Sequence, residues 1–201
     1  MAKRRTQVER REEAESRLVE AAVELVAMRG YDGFTLSDVG KKAGYSHGLP
    51  VHYFGLKDNL LSVAATKVIR NFEKYQRMLD PETRGLEKVV RLVELYLGAF
   101  ASEPIGMRAL HVIVGAAIAH PDLQKVVKEL DDGSMRTLSE EIEIGRQLGN
   151  VRPDVDPKRE AETLLSILRG TIAIRLLDEA VDVDGVSREL VRWIRAALSP
   201  D

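Results

Sequence analysis

The chain has 201 residues, 44% hydrophobic and 31% charged, a globular composition long enough to bury a sizeable core in one or two domains. Its net charge of −2 gives no overall attraction to nucleic acid, so any basic surface is local. The absence of cysteine excludes disulfides, thiol catalysis and cysteine-bound metals. Residues 1–11 carry Lys3, Arg4, Arg5, Arg10 and Arg11 against one acid, Glu9. They read as a basic flexible arm, either a solvated tail or a segment that orders on a polyanion. A first helix follows from about Glu12 to Arg29, with Leu18, Ala22, Leu25 and Val26 as its buried face and Gly30 as its stop.

The stretch FTLSDVGKKAGYSHGLPVHYFGLK, residues 34–57, organises what comes next. Leu36, Val39 and Ala43 recur at helical spacing, Thr35 stands as N-cap, and Gly44 sits where a left-handed backbone ends the helix. Ser46 is placed to cap a second helix from about His47 to Tyr53, with Phe54 turning back to the core. Helix, glycine turn and second short helix form the helix-turn-helix pattern of major-groove readers. A further helix runs from Lys57 to about Leu79, its apolar positions Leu60, Leu61, Ala64, Ala65, Val68 and Phe72 extending beyond that unit.

Here the chain resembles the tetracycline-repressor (TetR) family of bacterial transcription regulators. GYDGFTLSDVGKKAG, the S-x-G and H-Y-F of the second helix, and Lys57 followed by Asp58 and Leu60-Leu61 carry the resemblance. A later connector, G-x-V-R-P-D-V-D-P at residues 149–157, matches as well. The resemblance implies an all-α protein of about nine helices: a three-helix DNA-binding domain at 12–56, then a ligand-binding and dimerisation domain at 57–201. It implies phosphate contacts from Thr35, Ser46 and Lys57, and a base-edge contact from Ser37. It also implies a homodimer on a palindromic operator, answering to a small-molecule effector and acting most often as a repressor.

The residues themselves add that His47 and Val51 lie one turn apart on the exposed face of the second helix. Gly48 permits close backbone approach, and His52 and Tyr53 follow toward the phosphates. With no arginine for guanine and no Asn or Gln for adenine on that face, readout leans on thymine-methyl contact from Val51 and Leu49, histidine hydrogen bonds and DNA shape. Pro50-Val51 departs from the family's usual leucine and tyrosine. The proline cannot donate to a helical carbonyl, so the first turn is either tightened or starts late.

Beyond Asp80-Pro81-Glu82, three helices are expected between Leu86 and Leu148, with 131–134 (Asp-Asp-Gly-Ser) a kink or a break in the third. His111 is the one titratable group in the apolar segment 107–119. It is either a satisfied core histidine or a polar contact in a ligand cavity lined by Phe72, Tyr75, Phe100 and Met107. Two late helices, about 158–178 and 187–198, carry more apolar surface than one subunit covers. Leu164, Leu168, Ile172, Leu190 and Ile194 are the expected dimer seam.

No strand pattern or repeat occurs, and no metal-ligand, triad or phosphate-loop pattern supports the rival reading of a small all-α enzyme without cofactor. A DNA-binding homodimer that answers to no ligand is the other alternative. The N-terminus lacks a signal-peptide core, and the longest apolar run, Ala109 to Ala119, is too short for a bilayer, so a cytoplasmic location off the membrane is expected.

Overall fold

The computed structural model describes residues 6–77 and 79–200, with the side chains of residues 72, 73, 75 and 76 outside the description. Among the described residues the secondary structure is wholly helical: α1 (Gln7–Arg29), α2 (Leu36–Lys42), α3 (Leu49–Phe54), α4 (Lys57–Arg77), α5 (Leu86–Ser102), α6 (Pro104–Ala117), α7 (Pro121–Leu148), α8 (Pro157–Leu177) and α9 (Val183–Leu198). The chain forms two compact units, one from Met1–Val68 and Arg108–Val127, the other from Ile69–Met107 and Lys128–Asp201. The first unit takes in α1 to α3 and the start of α4, to Val68. No helix among the described residues is long and apolar enough to cross a membrane.

In the first unit, α1 begins five residues earlier than its apolar face indicates. Thr6 caps it in a full capping box with Glu9: the Glu9 amide donates to Thr6 Oγ1 at 3.2 Å and the Thr6 amide to Glu9 Oε2 at 2.7 Å. Arg10 and Arg11 are therefore helical, and residues 1–5 of the expected arm lie outside the described residues. Leu18, Ala22 and Val26 are fully buried, as are Val39, Leu60, Leu61 and Ala64. Salt bridges Lys42–Glu24 (2.6 Å) and Lys67–Glu20 (2.8 Å) tie α2 and α4 to α1 at the surface. Each is worth no more than about 1 kcal/mol, so apolar burial carries this unit.

In the second unit, α5 packs against both α8 and α9, which pack against each other. Apolar positions on two faces of α5, Val89, Val93 and Leu97 with Leu92 and Tyr96, are buried, as a central helix requires. Asp156 caps α8 by accepting from the Lys158 and Arg159 amides, and Asp182 caps α9, which starts four residues before the expected Ser187. The Asp-Asp-Gly-Ser stretch at 131–134 interrupts nothing: α7 is one helix of 28 residues.

The expected dimer seam is corrected here. Leu164, Leu168, Ile172, Leu190 and Ile194 are at most 6% exposed and belong to this unit's own core. The stripe read as surplus apolar surface is the stripe that α5 covers. What α8 and α9 leave in the open lies on their other faces: Ile174 (56%), Leu177 (90%) and Trp193 (44%).

Candidate DNA-reading surface

The reading unit is built around a close crossing of α2 and α3. Thr35 takes the Asp38 amide on its hydroxyl while the Asp38 carboxylate accepts from the Thr35 amide and hydroxyl, both at 2.8 Å. Those bonds, first the one from the hydroxyl, hold the Asp38 carboxyl below its ordinary range. The Thr35 hydroxyl is thus engaged within the helix end, the plain cap expected of it. Gly40 makes the crossing possible. A Cβ there would lie 2.6 Å from the Ser46 carbonyl oxygen, 3.2 Å from Pro50 Cδ and 3.3 Å from His47 Cα.

The second helix differs from its expected span. It runs from Leu49 to Phe54 with Gly48, not Ser46, at the N-cap, and the Ser46 carbonyl accepts from the Leu49 amide at 3.1 Å. Pro50 is the reason. Placed in the second helical position, its missing N–H is one of those that no helix interior satisfies, whereas a start at His47 would have put it against the Ser46 carbonyl. The proline is buried, as is Phe54. His47 and Gly48 therefore stand in the turn and not on the helix, both exposed.

Across the crossing, Ser37 Oγ lies 2.5 Å from His47 Nδ1, joining two of the expected base-reading residues. Val51 is 52% exposed and His52 is exposed beside it, with Leu49 and Tyr53 half-buried. The outward face of α3 and its preceding turn thus gather Ser46, His47, Gly48, Val51 and His52. Tyr53 faces α1: its hydroxyl donates to the Arg11 carbonyl at 3.5 Å, and the Arg11 guanidinium stands 5.9 Å from its ring. Gln7, Arg10 and Arg11 with His52 and Tyr53 line an open groove of about 760 Å³. Arg10 and Arg11 escaped the sequence assignment as helical groove residues because the capping box that orders them precedes the apolar periodicity.

Lys57 is engaged in a way the sequence did not show. Its ammonium donates to the carbonyls of Tyr31 and Phe34, the latter at 2.6 Å, and stands 4.7 Å and 4.2 Å from the centres of their rings. Burial lowers its pKa, against the pull of Asp32, Asp58 and Asp38. The lysine thus holds the α1–α2 loop. Lys57→Met is expected to leave two carbonyls without donors and to lower stability by about 1–2 kcal/mol. Thermal unfolding checks this, since an unchanged melting temperature would mean that the ammonium holds nothing.

Beside it, Tyr31 donates to Asp58 Oδ1 at 2.5 Å, its pKa raised first by burial and then by that bond. The Tyr31 ring lies 4.0 Å from that of His120, whose Nδ1 is 3.8 Å from Asp58 Oδ2. The histidine that closes the apolar 107–119 segment in the sequence thus meets the head of α4 in space.

Phe72 and Tyr75 lie outside the described residues as side chains. Phe100 and Met107 belong to the second unit's core, and His111 to the first unit. Phe100 carries the Arg175 guanidinium 5.4 Å above its ring.

A family model for bacterial regulatory proteins of the tetR family matches residues 18–64, which span this surface. A second, for the C-terminal part of BetI-type transcriptional repressors, matches residues 85–199, more than half of the chain. The HTH-type transcriptional regulator CymR of Pseudomonas putida is 44% identical over 59 residues, a match spanning 29% of each chain. The fatty acid metabolism regulator protein of Bacillus subtilis is 20% identical over 185 residues, 90% of this chain and 93% of its own. The crystal structure of a regulator from Saccharomonospora viridis in complex with choline superposes with a TM-score of 0.82 at 23% identity, over 94% of this chain and all of that one. Helix-turn-helix geometry, the α2–α3 crossing and two matching family models together place this chain in the TetR family of DNA-binding transcriptional regulators.

Proposed function

We propose that this regulator binds a palindromic operator as a homodimer and acts as a ligand-responsive repressor. The observation that carries the reading is the outward face of α3 and its turn. His47 and Gly48 in the turn and Val51 and His52 on the helix are exposed there, held to α2 by the Gly40 contact and the Ser37–His47 bond. A rigid, solvent-facing helix end of that size suits the major groove. Val51 and Leu49 meet thymine methyls, His47 and Ser37 offer hydrogen-bonding groups to base edges, and Thr35, Ser46, Tyr53 and Lys57 lie along the flanking phosphates with Arg10 and Arg11.

Two-fold pairing of such units sets their reading helices about 34–36 Å apart, or a multiple of that. The partner surface is the outer face of α8 and α9, where Ser166, Ala173, Ile174, Leu177 and Trp193 are exposed. Gly170 belongs to the same face. Mid-helix glycine costs about 1 kcal/mol against alanine, and a Cβ there would meet nothing within 4 Å in its own protomer. A close helix–helix contact with a second copy accounts for it. An effector held in the second unit acts through α4, whose 21 residues make an unbroken rod of about 30 Å with Lys57 at one end. By linkage, an effector that weakens operator binding binds the operator-bound dimer more weakly by the same factor.

The test is selection of bound duplexes from a random-sequence pool by the purified chain. Two-fold symmetric sites are expected, with affinity falling steeply as salt rises because phosphate contacts release counterions. Enrichment of asymmetric sites only, or of none, would remove the dimeric reading.

A further inference from the structure

The turn before α3 holds His47 by its backbone and by its ring. The Tyr45 amide donates to the Gly40 carbonyl at 2.9 Å and the Leu49 amide to the Ser46 carbonyl at 3.1 Å, which ties the chain down on either side of it. Its Cα packs against Gly40, where a Cβ would stand 3.3 Å away. Ser37, one turn before Gly40 along α2, meets the imidazole itself: Ser37 Oγ lies 2.5 Å from His47 Nδ1. The residue is nevertheless exposed. Nδ1 is the ring nitrogen nearer the main chain, so the nitrogen left at the outer end is Nε2.

The two nitrogens of a neutral imidazole do opposite work, one donating and one accepting, and the bond made by one decides the role of the other. Ser37 can meet Nδ1 in two ways. If Nδ1–H donated to Oγ, the serine proton would need another acceptor, and among the described residues Ser37 Oγ has no second partner. If the hydroxyl donates to Nδ1, its one proton is used and the ring carries its own proton on Nε2. Ser37 is half-buried while His47 is exposed, so a proton on Nε2 meets water more readily than a serine proton turned away from the ring. The second arrangement satisfies more groups, and it is the tautomer that free histidine also favours in water.

We infer that Ser37 is a positioning residue that fixes His47 as the Nε2–H tautomer, so that His47 reads a hydrogen-bond acceptor in the major groove, and that the base it selects is guanine. This rests on the proposed reading of DNA by α3 and its turn, and assigns one operator base to it. Guanine presents two neighbouring acceptors there, N7 and O6. Adenine sets an N6 donor beside its N7, and cytosine offers a donor alone, which a fixed donor opposes. Thymine O4 accepts as well, but beside a methyl group that suits Val51 better than an imidazole edge.

The first measurement needs no DNA. Long-range proton–nitrogen correlation spectra of the nitrogen-15-labelled protein are taken at about pH 8, above the ordinary histidine pKa. The His47 signals are identified by their loss in His47→Ala. Nε2 is expected at the shift of a protonated ring nitrogen and Nδ1 at that of an unprotonated one. Ser37→Ala should move both toward the averaged values of free histidine, and Ser37→Thr, which keeps the hydroxyl, should restore them. The second measurement selects duplexes from a random-sequence pool with the same proteins. The wild-type sites should carry a guanine whose preference vanishes in His47→Ala, weakens in Ser37→Ala and returns in Ser37→Thr. Exchanging that guanine for adenine removes the O6 acceptor, and for 7-deazaguanine the N7 acceptor. At least one exchange should weaken wild-type binding by about 3- to 10-fold, the worth of one hydrogen bond, and leave His47→Ala binding unaltered.

A proton on Nδ1 in the wild type, ring shifts unmoved by Ser37→Ala, or selected sites whose preferences do not depend on His47 each overturn the inference. A guanine that depends on His47 within asymmetric sites would uphold it and refute the dimeric reading. Two-fold symmetric sites with no position that depends on His47 would do the reverse.

Discussion

Gly170→Glu is expected to leave the protein folded and monomeric, with operator affinity reduced roughly 10²–10⁴-fold as two linked half-site contacts become one. The substitution is clean because the position is permissive inside the protomer. An added Cβ meets no atom within 4 Å, and glutamate favours a helix interior over glycine by about 0.5–1 kcal/mol. Protomer stability should hold or rise while the carboxylate sits where a second copy of α8 would approach. Trp193→Glu, on the outer face of α9, should have the same effect on assembly. Leu168→Glu and Ile194→Glu behave differently. Both side chains are at most 3% exposed in the core, so a charge there costs more than about 3 kcal/mol and unfolds the second unit. Sedimentation and thermal unfolding on all four variants separate the two outcomes. A dimer that survives both Gly170→Glu and Trp193→Glu would move the interface off α8 and α9.

That contrast shows what was legible in the sequence and what was not. Periodicity locates helices well because burial of one stripe is a local property of spacing: α8 appears within a residue of its expected place, and α9 lacks only the first turn that its Asp182 cap adds. Periodicity does not say which neighbour covers a stripe. The Leu164–Leu168–Ile172 row is equally consistent with a partner subunit and with α5, and only the packing of α5 against α8 decides. The proposed contact surface rests on the opposite signal, a helix face with small residues around Gly170, where a Cβ would meet nothing within 4 Å in the protomer.

At the reading surface, the Thr35 cap and the core side of α2 were readable from residue type alone. The start of α3 was not, because two candidates for the cap, Ser46 and Gly48, compete, and the buried Pro50 settles the matter through its missing N–H. Lys57 illustrates a different limit. A lysine at the head of a helix in a DNA-binding unit reads as a phosphate ligand. Its engagement with the Tyr31 and Phe34 carbonyls depends on a loop 23 to 26 residues earlier in the chain. The Tyr31–Asp58–His120 contact spans a greater separation still, and no spacing rule connects those three residues.

Gly40→Ala tests the crossing on which the reading surface depends. The new Cβ would sit 2.6 Å from the Ser46 carbonyl oxygen, a backbone atom in the turn that carries His47 and Gly48. Neither neighbour can yield cheaply, since Pro50 is a closed ring at 3.2 Å and its residue is buried. The helices must therefore separate, at about 1–3 kcal/mol, the usual range for overpacking. Separation also lengthens the 2.5 Å Ser37–His47 contact and swings the N-terminal end of α3, which presents Val51 and His52. A lower melting temperature is expected together with operator affinity weakened beyond what instability explains, at temperatures where the variant is fully folded. Gly48→Ala is the matched control. Its added Cβ meets nothing within 4 Å and its φ of −85° suits any residue, so stability should be unchanged. Operator affinity should nevertheless fall on the proposed reading, in which Gly48 is an exposed point of the turn that lets backbone approach DNA closely. Wild-type operator affinity in folded Gly40→Ala would show that DNA readout does not depend on the α2–α3 spacing.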